Sequence, residues 1–221
     1  MERIPEPELM DSEEQARAYA EADFSDANSL FVNAFLEQSG GATEAGKLVD
    51  LGCGPGDICL RLARAMPQWT LVGLDAGPNM LKHARAAASR DRLADRVEWR
   101  QCYLPDPDLP AAGFDAVISN SLLHHLPDPA VLWDTVRQVG APGARVQVMD
   151  LVRPPDVAAA TATVERHAAD APTVLKRDFY HSLLAAYTTD EIAEQLDRAG
   201  LDLQISRPSD RHWMVAGQLP G

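Results

Sequence analysis

This 221-residue sequence has little of what would place it outside the ordinary globular classes. Its three cysteines, Cys53, Cys59 and Cys102, are too few and wrongly spaced for a disulfide framework or a zinc cluster. No apolar run approaches the length that crosses a bilayer, and the acidic N-terminus lacks the apolar stretch of a signal peptide. These absences predict a cytoplasmic protein with no membrane-inserted segment and no metal site.

Basic side chains are also scarce, 20 against 33 acidic ones, which gives a net charge of −13. Such a balance repels phosphate backbones, and no arginine- or lysine-rich stripe interleaved with aromatic residues is present. The composition therefore argues against nucleic acid as a partner and fits a small molecule. It leaves the oligomeric state open, a homodimer included.

From Lys47 onward, short apolar strands alternate with amphipathic helices. The predicted strands are Leu48–Leu51, Thr70–Leu74, Val97–Arg100, Ala116–Ser119 and Arg145–Met149, with helices near Ile58–Ala65, Pro78–Ala88 and Pro129–Val139 between them. This alternation predicts an α/β fold, a doubly wound parallel sheet covered by helices on both faces.

The segments outside this alternation predict two helical additions. Residues 1–10 contain two prolines and are expected to be loose; helices then follow from Asp11 to about Ala22 and from Asp26 to Gln38. Together they make an N-terminal helical cap over residues 1–46, ahead of a domain spanning 47–221. After Pro154-Pro155 two more helices are expected, and we interpret residues 155–187 as a lid inserted over the ligand end of the sheet. A last helix begins at the Thr188 cap and ends before Gly200.

The most informative motif is the run LVDLGCGPGD at residues 48–57, followed about twenty residues later by LVGLD at 71–75. A glycine-rich turn after one strand and an acid after the next are typical of nucleotide-binding α/β units. Gly52, Gly54 and Gly56 are spaced G-x-G-x-G rather than the G-x-G-x-x-G of dinucleotide sites, and we expect no close helix–strand packing at the third glycine. Asp57 sets a negative charge where a pyrophosphate would need a helix N-terminus. The spacing therefore predicts a nucleoside ligand without phosphates.

The DLGCGPGD run closely resembles the first motif of class I S-adenosylmethionine (SAM) methyltransferases, and Asp75 matches their ribose-binding acid. The resemblance implies SAM as the cofactor, with Asp50 near its amino-acid moiety and Ala76 and Met80 beside its adenosine. It also covers two closing strands, Asp202–Arg207 and His212–Gly217. These imply a Rossmann-like sheet of seven strands, mostly parallel with an antiparallel last strand.

One position departs from the family pattern. The family often has Gly-Asp-Ala after the third strand, and its acid accepts a bond from the adenine amino group. Here the chain reads Gln101-Cys102-Tyr103, so no carboxylate is available. We expect backbone groups around Cys102 and Tyr103 to contact adenine instead, with Tyr103 stacking on the ring or capping the pocket.

The segment after the fourth strand resembles the small-molecule branch that includes the ubiquinone/menaquinone-type methyltransferases. It runs from Asn120 through S-x-x-x-H-H-L-P-D, with the adjacent pair His124 and His125. A histidine can take a proton from the acceptor as methyl transfer proceeds. Adjacent side chains point in different directions, so we expect at least one of the pair to be structural or a helix cap, and we prefer His125 as the catalytic one.

Other candidates for the acceptor side follow from their places in the predicted fold. Asp150 and Arg153 follow the fifth strand and are expected to face the pocket, whereas Tyr19, Arg177 and Tyr180 are candidates for the cap and lid. The prediction is SAM-dependent methyl transfer to a small molecule, without a metal. Two alternatives stay open: an RNA- or protein-modifying methyltransferase, and a SAM-binding protein that transfers no methyl group.

Overall fold

The computed structural model describes residues 1–6, 12–38 and 44–221. The helices are α1 Glu13–Glu21, α2 Ser25–Gln38, α3 Asp57–Ala65, α4 Pro78–Arg90, α5 Ala130–Val139, α6 Val157–Ala168, α7 Thr173–Ala185 and α8 Thr189–Ala199, with a 3₁₀ turn at Leu123–His125. The strands are β1 Gly46–Leu51, β2 Trp69–Asp75, β3 Val97–Gln101, β4 Phe114–Asn120, β5 Gly140–Leu151, β6 Gln204–Ser206 and β7 His212–Gln218. The predicted start of the first helix at Asp11 lies outside the described residues; Ser12 caps α1 by accepting a bond from Gln15 N–H.

The strands form one sheet in the order β3-β2-β1-β4-β5-β7-β6. Neighbours from β3 through β5 pair in parallel, and β7 pairs antiparallel with both β5 and β6. The predicted α/β fold, mostly parallel with an antiparallel last strand, is confirmed. β6 is shorter than predicted because only three of its residues, Gln204–Ser206, pair with β7.

Helices bury both faces of the sheet, which explains why its central strands are almost continuously apolar. On one face α5 and α8 cover a core that contains Trp133 and Trp213. On the other face α2, α3 and α4 cover a core that contains Phe31, Phe35 and Trp69. Among the described residues, no helix is both long and apolar enough to cross a membrane.

Along the chain, helices α6 and α7 are inserted between β5 and α8, the helix that leads to the last two strands. They pack on each other, and α7 also contacts α1 and the 3₁₀ turn. The buried part of α7 is extensive, whereas α6 buries only Ala160. The insertion therefore has an anchored inner helix and a weakly anchored outer one.

Residues 1–6, which we call the N-terminal strap, are bound along α7, so the expectation that the N-terminus is loose is wrong for this part. Ile4 N–H donates to the Leu184 carbonyl at 3.0 Å, and the terminal amino group donates to the Pro155 carbonyl at 2.9 Å. The Arg3 guanidinium lies 4.3 Å from the centre of the Tyr187 ring and donates to the His124 carbonyl at 2.9 Å. These contacts with Arg3 and with the backbone offset the entropy cost of ordering the strap.

Candidate active site

The sheet order changes direction between β1 and β4, because the chain continues from β1 to β2 and β3 on one side and from β4 to β5 on the other. In open α/β sheets, ligands bind outside the carboxyl ends of the strands at such a switch point. The glycine turn follows β1, Asp75 ends β2, Asn120 ends β4, and Asp150 is near the end of β5. The topology therefore places the sequence-predicted motifs together at the carboxyl ends of the central strands.

The glycine turn holds the carboxylate of Asp75 in a fixed orientation. The N–H groups of Gly52 and Cys53 donate to the Leu74 carbonyl at 2.8 and 2.9 Å, which ties the turn to β2. Gly54 N–H then donates to one Asp75 oxygen and Gly77 N–H to the other, both at 2.8 Å. Because a carboxylate oxygen can accept more than one hydrogen bond, these contacts orient Asp75 without exhausting it.

The three glycines of the turn all have a positive φ, 73°, 52° and 86°, but their surroundings differ. A Cβ on Gly56 would lie 2.4 Å from the Trp99 ring and 3.1 Å from Ala84, and one on Gly52 would lie 2.9 Å from Leu122. A Cβ on Gly54 would meet no atom within 4 Å. The expectation that the third glycine is not closely packed is therefore wrong, since Gly56 packs against β3 and α4. Gly54 is the position whose backbone is open to a ligand.

Asp57 begins α3, as the motif predicts, but its charge is paired. Its Oδ2 lies 2.6 Å from Arg61 Nε and accepts a bond from Asn28 Nδ2 at 2.7 Å. The repulsion of a phosphate at this helix N-terminus is therefore weaker than the sequence indicates. The Asn28 contact instead fastens α2 to the start of α3.

Two buried acceptors at the carboxyl ends of β1 and β4 lack a hydrogen-bond partner among the described residues, Asp50 Oδ1 and Asn120 Oδ1. The other Asp50 oxygen accepts a bond from the Cys59 thiol at 3.3 Å. Burial raises the pKa of Asp50 to about 7, against the effect of the Cys59 bond and with a contribution from the Asp75 charge. Buried polar groups are rarely left unpaired, so these two oxygens indicate a polar ligand at the switch point.

The residues expected at the adenine end are present but do not enclose it as predicted. Met80 and Cys102 are buried, and Cys102 N–H donates to the Asp75 carbonyl at 2.9 Å, which continues the pairing of β3 with β2. Gln101 Nε2 donates to the Ala76 carbonyl at 3.1 Å. Tyr103 is 54% exposed because the chain leaves the sheet after Cys102, so the structure does not place Tyr103 as a cap.

On the acceptor side, Asp150 orients His124. Asp150 Oδ1 lies 2.6 Å from His124 Nδ1, and its Oδ2 accepts the His124 backbone N–H at 3.1 Å. Burial lowers the pKa of His124, but the Asp150 and Glu6 carboxylates outweigh it and raise that pKa above its usual value. Burial likewise opposes ionisation of Asp150, yet His124 holds the Asp150 pKa below its usual range.

The N-terminal strap adds a carboxylate that the sequence reading missed. Glu6 Oε1 lies 3.3 Å from His124 Nε2 and 3.2 Å from His125 Nδ1, and it accepts a bond from Ser182 Oγ at 3.0 Å. Both imidazole rings thus face one oxygen, and the rings lie 4.1 Å apart. No local signal pointed to Glu6, because it is 118 positions from His124 in a proline-containing segment. Glu6, His124 and His125 also form a group with metal-ligand spacing, although the sequence indicated none.

Tyr19 lies on α1, within electrostatic reach of both Asp75 and Asp150. Its ring contacts Phe24 with centroids 4.6 Å apart. Burial and the charges of Asp150 and Asp75 raise the pKa of Tyr19 to about 12. Its role in covering the ligand end of the sheet stays a prediction.

Three residues expected on the acceptor side, Arg153, Arg177 and Tyr180, contact other protein groups. Arg153 donates to Glu191 Oε1 at 2.8 Å and to the Ala186 carbonyl at 3.2 Å, so it fastens the capped start of α8 rather than facing the pocket. The Arg177 side chain is 57% exposed and pairs with Asp178 at 3.0 Å, while the Tyr180 ring lies beside His181.

A second residue that sequence reasoning missed is Asp178, one position after Arg177 in the lid insertion. Its carboxylate is buried and accepts a bond from Gln15 Nε2 at 3.0 Å. Gln15 lies on α1, so this bond links the N-terminal helix to α7. The connection fastens α1 to the helix that carries Ser182, the partner of Glu6.

Comparison with known proteins agrees with this geometry. Residues 49–146 match a family model described as a methyltransferase domain. An uncharacterized methyltransferase of Mycobacterium tuberculosis is 35% identical over 108 residues, which cover 48% of this chain and 51% of that protein. The 27-O-demethylrifamycin SV methyltransferase of Amycolatopsis mediterranei is 28% identical over 182 residues, which cover 78% of this chain and 61% of that enzyme. The chain thus spans about half the length of the mycobacterial relative.

The fold has a counterpart among solved structures. The structure of a putative S-adenosyl-L-methionine-dependent methyltransferase from Methanococcus maripaludis superposes with a TM-score of 0.73, over 100% of this chain and 98% of that one. At 16% sequence identity this likeness shows a shared fold. The match spans the helical additions as well as the sheet.

Proposed function

We propose that this chain, a class I SAM-dependent methyltransferase by its domain and fold, transfers a methyl group from SAM to a small-molecule acceptor. The observation that carries the proposal is the carboxylate of Asp75 at the end of β2. Gly54 and Gly77 hold its two oxygens, each at 2.8 Å, beside the open backbone of Gly54. Two ribose hydroxyls can donate to such a carboxylate in charge-assisted hydrogen bonds.

The rest of the cofactor follows from that anchor. With the ribose on Asp75, the adenosine lies beside Ala76, Met80 and Cys102. The amino-acid moiety extends across the switch point, where the oxygens of Asp50 and Asn120 that have no partner in the described part of the chain can accept bonds from its ammonium group. The sulfonium methyl then faces the ends of β4 and β5, where Asp150 and the two histidines lie.

The chemistry is an in-line displacement at the methyl carbon. The acceptor's lone pair forms the new bond to carbon while the carbon–sulfur bond breaks and its electrons go to sulfur. The chain mainly sets this geometry and excludes water. Because Asp150 accepts the Nδ1 proton of His124, the Nε2 atom is left to take the acceptor's proton, and the resulting imidazolium is stabilised by Asp150 and Glu6. This orientation favours His124 over His125 as the proton acceptor.

A small acceptor is supported by three observations. The N-terminal strap contacts both histidines and α7, and α7 also contacts α1 and the histidine turn, an arrangement that favours a small acceptor over a large polymer. The net charge of −13 opposes a nucleic acid, and the rifamycin-related enzyme is named for a small-molecule substrate.

Isotope transfer tests the proposal. The protein is incubated with methyl-labelled SAM and a bacterial extract that has been separated into metabolite, RNA and protein fractions, and mass spectrometry locates the label. We expect label in the metabolite fraction, lost in Asp75→Ala and kept in Asp95→Ala, an exposed acid in the α4–β3 loop. Label confined to RNA or protein, or SAM binding with no label transferred in any fraction, would contradict it.

A further inference from the structure

We propose that Glu6, His124 and His125 form a binding site for a divalent transition-metal ion, with an open position directed at the methyl acceptor. The ligand atoms, His124 Nε2, His125 Nδ1 and a Glu6 carboxylate oxygen, all lie within 4.8 Å of one another. The two nitrogen-to-oxygen distances are 3.3 and 3.2 Å. Metal–ligand bonds of 2.0–2.1 Å in a tetrahedron separate neighbouring ligand atoms by about 3.3–3.4 Å, so both nitrogen-to-oxygen pairs already have the spacing that such a site needs.

The surroundings of these ligands are those of a built metal site. Asp150 Oδ1 lies 2.6 Å from His124 Nδ1, so this carboxylate fixes the tautomer in which Nε2 carries the lone pair. A metal-bound histidine usually has such a partner on its other nitrogen. Ser182 Oγ donates to the Glu6 carboxylate at 3.0 Å and holds it towards the rings. The Glu6 and His124 side chains are only 6% and 3% exposed, so the ligands are already ordered.

The ligand set selects the kind of ion. Two imidazole nitrogens and one carboxylate oxygen suit zinc and its first-row neighbours, whereas magnesium and calcium prefer oxygen ligands. Three protein ligands leave a fourth position for water or a substrate, as in catalytic zinc sites. Among the nearby charges, Glu6 and Asp150 are opposed by Arg3, whose guanidinium donates to the His124 carbonyl. The charges of Glu6, Asp150 and Arg3 sum to −1, so adding a divalent ion and one ionised acceptor oxygen makes the net charge of the site zero.

The inference deepens the proposed function and rests on it for its chemical role. An acceptor hydroxyl bound at the open position loses its proton more readily, because the ion stabilises the oxygen anion. The proton leaves to solvent, the oxygen lone pair attacks the SAM methyl carbon, and the carbon–sulfur bond electrons remain on sulfur. The N-terminal strap would then supply a ligand, so the site forms only when the strap is in place.

Cobalt(II) and zinc(II) binding to the chelator-treated full chain tests the site. We expect one ion per chain by calorimetry, with the visible absorption of four-coordinate cobalt. Glu6→Gln keeps the volume and the acceptor for Ser182 but removes the anionic ligand, so both signals should be lost. Asp150→Asn should weaken binding by roughly 10- to 100-fold, the effect of losing a partner outside the ligand shell. Glu2→Gln, an exposed acid of the same strap, and His167→Gln, a histidine paired with Asp210, are matched controls that should change nothing.

Each outcome decides the question. The absence of stoichiometric binding, or binding that is unchanged in both Glu6→Gln and His125→Gln, would show that the three residues form an ion-pair cluster only. Thermal unfolding of each variant checks that the fold persists. SAM calorimetry on the same samples separates the two proposals: Glu6→Gln should retain SAM affinity, and failure of SAM to bind the parent chain would overturn the proposed function while leaving the metal result standing.

Discussion

At the scale of single residues, the carboxyl group of Asp50 is buried behind the glycine turn with its pKa raised to about 7. If the SAM ammonium group pairs with this carboxylate, binding favours the ionised form. Below pH 7 the free protein must then release a proton to bind, and SAM affinity should fall by about tenfold per pH unit. Calorimetry between pH 5.5 and 8 measures this dependence.

Asp50→Asn is the matched variant for that titration, because it keeps the shape of the side chain and cannot ionise. Its SAM affinity should be weaker above pH 7 and nearly independent of pH. A parent protein whose affinity does not change across this range would remove Asp50 from the cofactor site.

The histidine pair makes a second prediction at this scale. If His124 activates the acceptor, either by taking its proton or by holding a metal ion, His124→Ala should keep SAM affinity but lose about 10²–10⁴-fold in turnover. The loss should shrink as pH rises, because more of the acceptor ionises unaided. Since the carboxylates raise the pKa of His124, parent turnover should increase as pH rises through that pKa.

His125→Ala separates direct proton transfer from metal binding. Without a metal, it should mainly lower the melting temperature, because the His125 ring packs 4.1 Å from that of His124. With a metal, it should lower turnover as His124→Ala does. Normal turnover in both variants would mean that neither residue activates the acceptor.

At the scale of elements, the glycine turn between β1 and α3 separates stability from binding. Gly56→Ala brings a Cβ into the Trp99 ring in addition to the cost of a positive φ, so the melting temperature should fall markedly. Gly54→Ala meets no neighbouring atom and costs only about 1–2 kcal/mol of backbone strain, but its methyl group projects where we place the cofactor. The two variants should therefore differ in which property they lose.

Thermal melting and SAM calorimetry of both variants check this. Gly54→Ala should fold and bind SAM weakly, whereas Gly56→Ala should unfold at a lower temperature. Full SAM affinity in a folded Gly54→Ala protein would show that the cofactor does not bind against the glycine turn.

The α6–α7 insertion makes a prediction about order. We expect α6 to open in the free protein, because it buries only Ala160 while α7 is packed against the sheet end and α1. Limited proteolysis should cut first within 157–172 and should slow when SAM and an acceptor are bound. Equal cutting rates with and without ligands would argue against a lid.

At the scale of the whole molecule, the sequence predicted what local patterns determine. Strand positions followed from apolar runs, and the turn, Asp75 and the histidine pair followed from motifs read along the chain. Contacts between distant segments could not be read in this way. Glu6 meets His124 because Ile4 and Glu6 both bind α7, and Arg153 turns to Glu191 because α8 begins beside it. Tyr103 is exposed because the chain turns away from the sheet after β3, and the residue types there do not predict that change of direction.

The same distinction applies to the electrostatics of the fold. Asp57 was correctly placed at the start of α3, and Arg61 pairs with it from four positions along the same helix, but the bond from Asn28 comes from a different helix. That one buried oxygen of Asp50 and one of Asn120 have no hydrogen-bond partner among the described residues can be recognised only when their neighbours in the fold are known. Long-range packing therefore decides which polar residues remain available to a ligand.

The central claim is that the Asp75 end of the switch point binds SAM, and isothermal calorimetry tests it most directly. SAM and S-adenosylhomocysteine should bind one per chain, and NAD and ATP should give no heat of binding at the same concentrations. Asp75→Ala should weaken SAM binding by about 1.5–3 kcal/mol, the usual effect of losing hydrogen bonds to a charged group, while Asp95→Ala matches the parent. Binding of NAD without SAM, or an unchanged SAM affinity in Asp75→Ala, would contradict the account.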